Sequence, residues 1–598
     1  MGYMTDAEFI SQVWTLYRTV KDQGGLLTVT YPTALQQYSA VNLMAFLTYK
    51  KNVKTDFLTA MRVRGLRLST YQHVAHSLEI ICSRLGILPS NQITAAAPPP
   101  SIIRMRSEAL FGTKRDAESP HIMLTLDVRM LASPVIEQFL ANGMTIARIN
   151  CAHGDRSIWT KLIEAVRGAE EQLRGKGQYR GQACKIYMDL AGPKIRVGPI
   201  RKTGYPLKIS VKKNEYGQPL ESLRGFIGPH PPAASMESSQ AFDFEIPILP
   251  HDKLHLLKEG DRLAFRDIRG KRRTLLVLQV MPSGLEASLD QTAYLDEHTT
   301  LYNEDYHINL RVASLAKKPV RLFVKKSDSL RIYLNDKLEG DYSPTGVACI
   351  SVSLPQAFTK LREGHSVFID DGKVHGIVYR HNERFVDVKV VAPDYPIVLK
   401  EGKGINLPDS NVGKSITALT GKDTEDLAFI AEHADMVGVS FVHDANDLRR
   451  LKELLDESVK SDIAVIAKIE TREAVHHFSS LLLEGLTFAR FGVMVARGDL
   501  AIEIGFQQLS VVQEEILAMS RAAHVPVILA TQVLDTMAKK GMPSRAELAD
   551  LSFGSEFDCV MLNKGPFMKE TVSFLQETLL LLNQVKHHTK TITRLMHD

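Results

Sequence analysis

Residues 463–470 read IAVIAKIE, and residues 493–504 read VMVARGDLAIEI. Each is a β-branched apolar run that breaks off in charge, at Lys468 and Glu470 in the first and at Arg497, Gly498 and Asp499 in the second. An apolar run without alternation marks a strand buried on both faces, and such strands belong to parallel sheets covered by helices. Polar groups at the C-terminal ends of such strands sit where (β/α)8 barrels keep their active sites. A lone Lys at a strand end is ordinarily solvated, and a lone Asp or Glu is ordinarily a helix cap or a surface group. Two successive strands ending in complementary chemistry are harder to place on a bare surface. A cation with two carboxylates suits a divalent metal held beside an anionic substrate.

The rest of the chain supplies the strands that a barrel needs. HIMLTLDV (121–128), MTIARIN (144–150) and CKIYMDL (184–190) read as strands one to three, with helices at 133–142 and 157–175 between them. MVGVSF (436–441), 463–470, 493–498, PVILAT (526–531) and CVMLN (559–563) read as strands four to eight, followed by a helix at 569–585. Three strands and five make eight, and the expected fold class is α/β, a (β/α)8 barrel built from residues 116–198 and 401–598. Residues 1–94 carry three-to-four apolar spacing at 6–21 and 70–88 and are expected to form a helical accessory domain. Residues 95–115, which begin AAAPPPS, are expected to be a linker, because consecutive prolines cannot continue a helix.

Between the two halves of the barrel, residues 199–400 change to short alternating strands with Gly, Pro and Asp turns, the pattern of an inserted all-β domain. Residues 257–280 weakly parallel residues 361–391, which suggests two β-barrel lobes, at 242–302 and 349–400. The second copy keeps an acidic turn, Asp370-Asp371-Gly372, where the first has Arg266-Asp267.

Composition sets bounds on partners. Net charge is +5 on 73 basic and 68 acidic residues, too small and too dispersed an excess to argue for nucleic acid. No run reaches the length of a membrane span, and no apolar segment follows acidic Asp6 and Glu8, so neither a signal peptide nor a membrane partner is expected. The five cysteines (Cys82, Cys151, Cys184, Cys349, Cys559) are scattered without CxxC spacing, which fits a reducing compartment, and a cytoplasmic location is expected.

The stretches GMTIARINCAHG, IYMDLAGPKIRVG, AKIE, VMVARGDLAIEI, PVILATQVLDTM and PSRAE occur in the order in which they stand in pyruvate kinases, and the chain resembles that family over roughly 120–200 and 360–585. The resemblance implies phosphoryl transfer between phosphoenolpyruvate and ADP with Mg²⁺, which Mn²⁺ can replace. It implies that the β-insert closes over the nucleotide. By resemblance Arg148 grips the phosphoryl group in transit, and Lys468 stabilises that group and the enolate oxygen left behind. Glu470 and Asp499 would hold the metal, Thr531 would relay a proton to the enolate carbon, and the backbone at Gly498 would face the substrate carboxylate. Asn150, His153, Arg196 and Lys403 resemble nucleotide contacts. The chain ends where the family's regulatory C-terminal domain would begin, and a homo-oligomer through the barrel is compatible with the pattern.

Several positions depart from the family. Asn150 and Asp189 match the monovalent-cation ligands of many members, but Ala152 and Leu190 replace the Ser and Thr, and Lys194 stands where those members carry Glu. A fixed ammonium can supply the charge of K⁺, so K⁺ is not expected to be required. Asp127-Val-Arg-Met130 follows the first strand where Gly-Pro-Ala-Ser is usual, and Asn563-Lys-Gly-Pro566 replaces Ser-Gly-Glu-Thr after the eighth. Two other readings stay open on the sequence alone: a metal-dependent phosphoenolpyruvate or pyruvate lyase on the same barrel, and a non-catalytic or regulatory protein that keeps the barrel as a scaffold.

Overall fold

The structure, a computed structural model, describes residues 4–595 apart from 23–28, 67, 69–70, 90–100, 114–118, 133, 179–181, 205, 230–241, 316, 411–415 and 458–461. Eight parallel strands close a barrel in chain order: His121–Thr125, Met144–Asn150, Lys185–Asp189, Met436–Val439, Ala464–Ile469, Phe491–Ala496, Val527–Ala530 and Cys559–Leu562. Closure is made by the first and eighth strands, which pair at Ile122↔Val560. Side chains from every strand fill the interior, among them Met123, Ile146, Tyr187, Met436, Ile466, Met494, Ile528 and Met561. Tyr187 fits because Gly438 faces it: a Cβ there would lie 1.8 Å from the Tyr187 hydroxyl.

Most strands stop one to three residues before the ends expected from the sequence. Val128 belongs to a 3-10 turn, Val128–Ala132, and Arg497 and Gly498 already open the helix Arg497–Ile504. Glu470, Asp499 and Thr531 therefore stand just beyond the pairing, at the end of the barrel, while Arg148, Asp189 and Lys468 lie in the last residues of their strands. The last helix, Met568–Leu595, runs further than the 569–585 expected.

The first helices are Asp6–Asp22, Ala34–Asn52, Thr55–Val63 and Val74–Arg84. The helix expected at 70–88 is shorter because Tyr71–His73 is a 3-10 turn. The apolar faces of these helices merge with the barrel's outer shell into one core. Polar contacts fix the docking: the Asn42 amide donates to the Ala522 carbonyl at 2.8 Å, and the Gln36 amide to that of Phe488 at 2.7 Å.

The expected linker is only partly a linker. Residues 95–100 and 114–115 lie outside the described residues, but Ile102–Phe111 is a helix. Its Leu110 and Phe111 join the interior core, so this helix plugs one end of the barrel, and its burial explains why the segment is ordered.

The insert holds two separate apolar cores. One gathers Ile195, Val197 and Ile200 with residues 322–407, and the other lies wholly within residues 209–312. The second core is thus nested inside the first in sequence. Six strands of each seven-stranded sheet share one order. Phe244–Pro247, Leu223–Gly228, Gly284–Leu289, Arg272–Met281, Arg262–Arg266 and Thr300–Asn303 form one series. Ala348–Ser351, Ser329–Tyr333, Phe385–Ala392, Val374–His381, Ser366–Ile369 and Ile405–Asn406 form the other. The first pair in each series is parallel. Hydrogen bonding repeats as well: Gly260 N–H donates to the Val277 carbonyl at 2.9 Å, and Gly364 N–H to that of Val378 at 2.8 Å. Both glycines have positive φ, +92° and +89°, which a turn of this hand requires.

Candidate active site

The C-terminal ends of the barrel strands carry a buried charge network centred on Asp189, at the end of the third strand. Arg148, at the end of the second, donates to Asp189 Oδ2 from Nη2 at 2.5 Å and from Nε at 3.1 Å. Its Nη1 donates to Thr125 Oγ1, at the end of the first strand, at 2.9 Å. Lys468, near the end of the fifth strand, places Nζ 3.4 Å from the same Asp189 oxygen and 3.5 Å from Glu470 Oε1. The Tyr187 hydroxyl donates to Asp189 Oδ1 at 3.2 Å. Arg148, Asp189, Lys468 and Glu470 are all buried.

The protonation states follow from this packing. Burial opposes the Lys468 ammonium, but the Asp189 and Glu470 carboxylates outweigh it and raise its pKa. Burial likewise works against the Asp189 carboxylate, and Lys468 and Arg148 overcome it, so its pKa is lowered. Glu470 is different. Burial pushes its carboxyl up, Lys468 pulls it down and nearby Asp499 pushes it up again, leaving it raised. Its Oε1 accepts from the Phe441 N–H at 2.7 Å.

Glu470 and Asp499 are hard oxygen donors at the ends of neighbouring strands. Among the described residues no three His, Cys, Asp or Glu side chains form a metal cage. Two carboxylates are nevertheless what Mg²⁺ usually takes from a protein, with substrate oxygens and water filling the rest. Glu470 is held above its ordinary pKa by burial first, with the Asp499 carboxylate adding to it, and a divalent cation between the two would relieve that repulsion. These residues fit the ion.

Thr531 follows the seventh strand in a left-handed conformation, φ +62°, which is uncommon for a β-branched residue. Buried Arg497 holds it there. Two of its guanidinium nitrogens donate to the Thr531 carbonyl at 3.2 and 2.9 Å, and Nη1 makes a bidentate pair with Asp550 at 2.6 and 2.8 Å. The Gly498 N–H donates to Thr531 Oγ1 at 2.7 Å, so this amide is aimed at the hydroxyl and not at open space in the site.

Asn150 and His153 line a cleft of about 600 Å³ beside Arg148, together with Asp127, Asn563 and Lys564. The two unusual loops meet here: Lys564 pairs with Asp127 at 3.0 Å. Burial, then Lys564, Arg196 and Arg148, lower the pKa of His153, so three cations converge on it. Asn150 is held by the Ala152 N–H, which donates to its Oδ1 at 3.0 Å, and stands opposite Asp189 in register.

Arg196 and Lys403 lie together at the root of the β-insert, where Val197 N–H donates to the Lys403 carbonyl at 2.8 Å. Arg196 donates to the Gly402 carbonyl at 2.9 Å, and Lys403 pairs with Asp370 of the acidic turn at 2.8 Å. Lys194 extends to the barrel, where Nζ donates to both oxygens of Asp499 at 2.9 and 3.0 Å.

Ser440 is a member of the constellation that sequence reading missed. It follows the fourth strand, accepts from Lys468 Nζ at 2.8 Å and donates to the Leu190 carbonyl at 2.7 Å. The rule that singled out the other residues, a polar group ending a buried run, applies to it equally.

The described residues include no helix long and apolar enough to cross a membrane. A model of the pyruvate kinase barrel domain matches residues 298–571. The pyruvate kinase of Methanocaldococcus jannaschii is 30% identical over 325 residues, 51% of this chain and 68% of that one. Those of Debaryomyces hansenii and Hypocrea jecorina are 36% and 34% identical over 37% of this chain, which spans 44% and 40% of their lengths. A solved pyruvate kinase from Cryptosporidium parvum gives a TM-score of 0.49 at 21% identity, covering 78% of this chain and 70% of that one. With two thirds of the Methanocaldococcus jannaschii protein aligned and the closed barrel in place, the chain belongs to the pyruvate kinase family.

Proposed function

We propose that this protein transfers a phosphoryl group from phosphoenolpyruvate to ADP, giving pyruvate and ATP, with Mg²⁺ or Mn²⁺ and without a requirement for K⁺. The observation that carries this reading is the convergence of Arg148, Lys468, Glu470, Asp499 and Thr531 on one end of one barrel. Phosphoryl transfer needs little covalent work from the protein and much fixed charge.

The geometry supports the following roles. Arg148 keeps a planar guanidinium at the end of the second strand, suited to a phosphoryl oxygen pair. Asp189 anchors it through hydrogen bonds to Nε and Nη2. Lys468 stays an ammonium, because Asp189 and Glu470 hold it protonated, and it faces the enolate oxygen as negative charge develops there. A divalent cation on Glu470 and Asp499 would supply a Lewis acid for the substrate's carboxylate and enol oxygen. Thr531 Oγ1 already accepts from Gly498 N–H, so its own proton is free to go to the enolate carbon, through a water. Asn150 and His153, which line the 600 Å³ cleft, would receive the nucleotide together with Arg196 and Lys403 at the root of the insert.

Independence from K⁺ is supported by the occupation of Asp189, whose oxygens serve Arg148, Lys468 and Tyr187. The test is pyruvate formation from phosphoenolpyruvate and ADP with Mg²⁺, run on the wild type beside Lys468→Met. Turnover in the wild type, lost by about three orders of magnitude or more in the variant, is expected. Absence of turnover in both, with several nucleoside diphosphates tried, would replace this reading with that of a ligand-binding scaffold.

A further inference from the structure

Lys194 reaches the metal carboxylate from the segment that leads out of the third barrel strand into the insert. It lies just before Ile195, the first residue of the insert's outer core, and its ammonium donates to both oxygens of Asp499. Lysine and aspartate are each about one-fifth exposed, so water does not dissolve the pair. Three elements fix the lysine. Asp499 takes its head, the Phe441 ring lies 5.8 Å from Nζ, and Gly404 lies under its stem. A Cβ at Gly404 would come within 2.6 Å of Lys194 Cε, so the close passage depends on that glycine.

We infer that Lys194 is a built-in competitor of the divalent cation for Asp499, and that it sets metal affinity. The inference rests on the assignment of Glu470 and Asp499 as the metal pair. Both Asp499 oxygens are engaged by one ammonium. A divalent ion coordinated by that carboxylate has to displace the ammonium from at least one of them, and the two cations would otherwise stand within a few ångströms of each other in a poorly solvated pocket. A carboxylate at position 194 could neither pair with Asp499 nor oppose the metal. The lysine therefore leaves a site whose charge is balanced by the chain itself. Because Gly404 begins the return of the insert to the barrel, displacement of the Lys194 head also presses on that return strand, Ile405–Asn406.

Mn²⁺ binding, followed by the loss of the electron paramagnetic resonance signal of the free ion, tests this without turnover. Four variants are compared with the wild type: Lys194→Met, Gly404→Ala, Asp499→Asn and Glu470→Gln. Lys194→Met keeps an apolar stem over Gly404 and is expected to bind Mn²⁺ at least tenfold more tightly than the wild type. Gly404→Ala pushes the lysine head aside without touching either carboxylate and is expected to shift affinity in the same direction by a smaller factor. It keeps the inference testable if Lys194→Met does not fold. Equal or weaker binding in both, with binding lost in Asp499→Asn, would overturn the competitor while leaving the metal pair standing. Undiminished binding in Asp499→Asn and Glu470→Gln would instead remove the metal assignment, and the inference with it.

Discussion

Lys468 Nζ lies 3.4 Å from Asp189 Oδ2, the same oxygen to which Arg148 Nη2 donates at 2.5 Å. One carboxylate thus anchors the two cations that face the transferring group. Removing its charge in Asp189→Asn leaves two buried cations with Glu470, and Asp499 beside Lys468, as their remaining carboxylates. The expected loss of stability is about 3 kcal/mol, read from the urea midpoint. The alkaline limb of the rate profile should also move to lower pH, because Asp189 is the largest influence holding the Lys468 pKa up against burial. An unmoved limb would show that Glu470 alone sets the lysine.

Ser440 aims the same lysine. In Ser440→Ala the 2.8 Å contact to Nζ disappears, while both carboxylates remain. The ammonium keeps its charge and loses its direction. A fall in kcat of about tenfold to a hundredfold is expected, the size of one hydrogen bond to a charged group, with KM for phosphoenolpyruvate little changed. An equal rise in KM would mean that Ser440 serves binding and not the chemical step.

Thr531 combines a hydroxyl that Gly498 N–H requires with a backbone that a β-branched residue disfavours. Thr531→Ser should retain activity within about threefold, since the hydroxyl stays and the Cγ2 methyl is the part that strains. Thr531→Val should lose about a hundredfold or more in kcat, because the Gly498 amide loses its acceptor and the proton relay loses its donor. Similar rates for serine and valine would exclude the hydroxyl from the reaction.

The barrel and most of its charged rim were legible in the sequence because each strand is a local event. A buried run and the polar residue that ends it lie within about ten residues, and the interior needs no more than apolar bulk. The relationships that were not legible are long-range. Lys194 and Asp499 are 305 positions apart, and nothing near either announces the other. The nesting of one β-core inside another was hidden for the same reason: Ile195, Val197 and Ile200 pack with residues beyond 320, across a complete intervening lobe. Helix Ile102–Phe111 was hidden behind the prolines that precede it, since only the open end of the barrel makes burial of Leu110 and Phe111 worthwhile.

Activity in buffers free of Na⁺ and K⁺ is expected to rise less than tenfold when K⁺ is added. Tenfold corresponds to about 1.4 kcal/mol of barrier, which is the least that a cation bound beside the phosphates should contribute. The Asp189 oxygens that would coordinate it are already spoken for by Arg148, Lys468 and Tyr187. A larger stimulation would require that network to rearrange, and K⁺ would then also raise the melting temperature.

Glu503 makes stability depend on pH. It lies on the helix Arg497–Ile504 and accepts from the Asn406 amide at 3.1 Å, joining the barrel to the return strand of the insert. Burial, opposed by Asn406 and reinforced by Glu473 and Asp499, pushes its carboxyl up to about 7 from an ordinary 4.5. Between those values the folded protein holds a proton that the unfolded chain has released, so this group's effect is a loss of stability as pH rises from about 4.5 to about 7. Below that window both states are protonated and the effect vanishes; above it the loss is complete. At 1.36 kcal/mol per unit it amounts to at most about 3 kcal/mol, and to less where water reaches the carboxyl. Glu503→Gln can still accept from Asn406 and cannot ionise. Its urea midpoint should match the wild type at pH 4.5 and exceed it at pH 8. A difference of the same size at both pH values would mean that the substitution acts through packing, with no contribution from the proton.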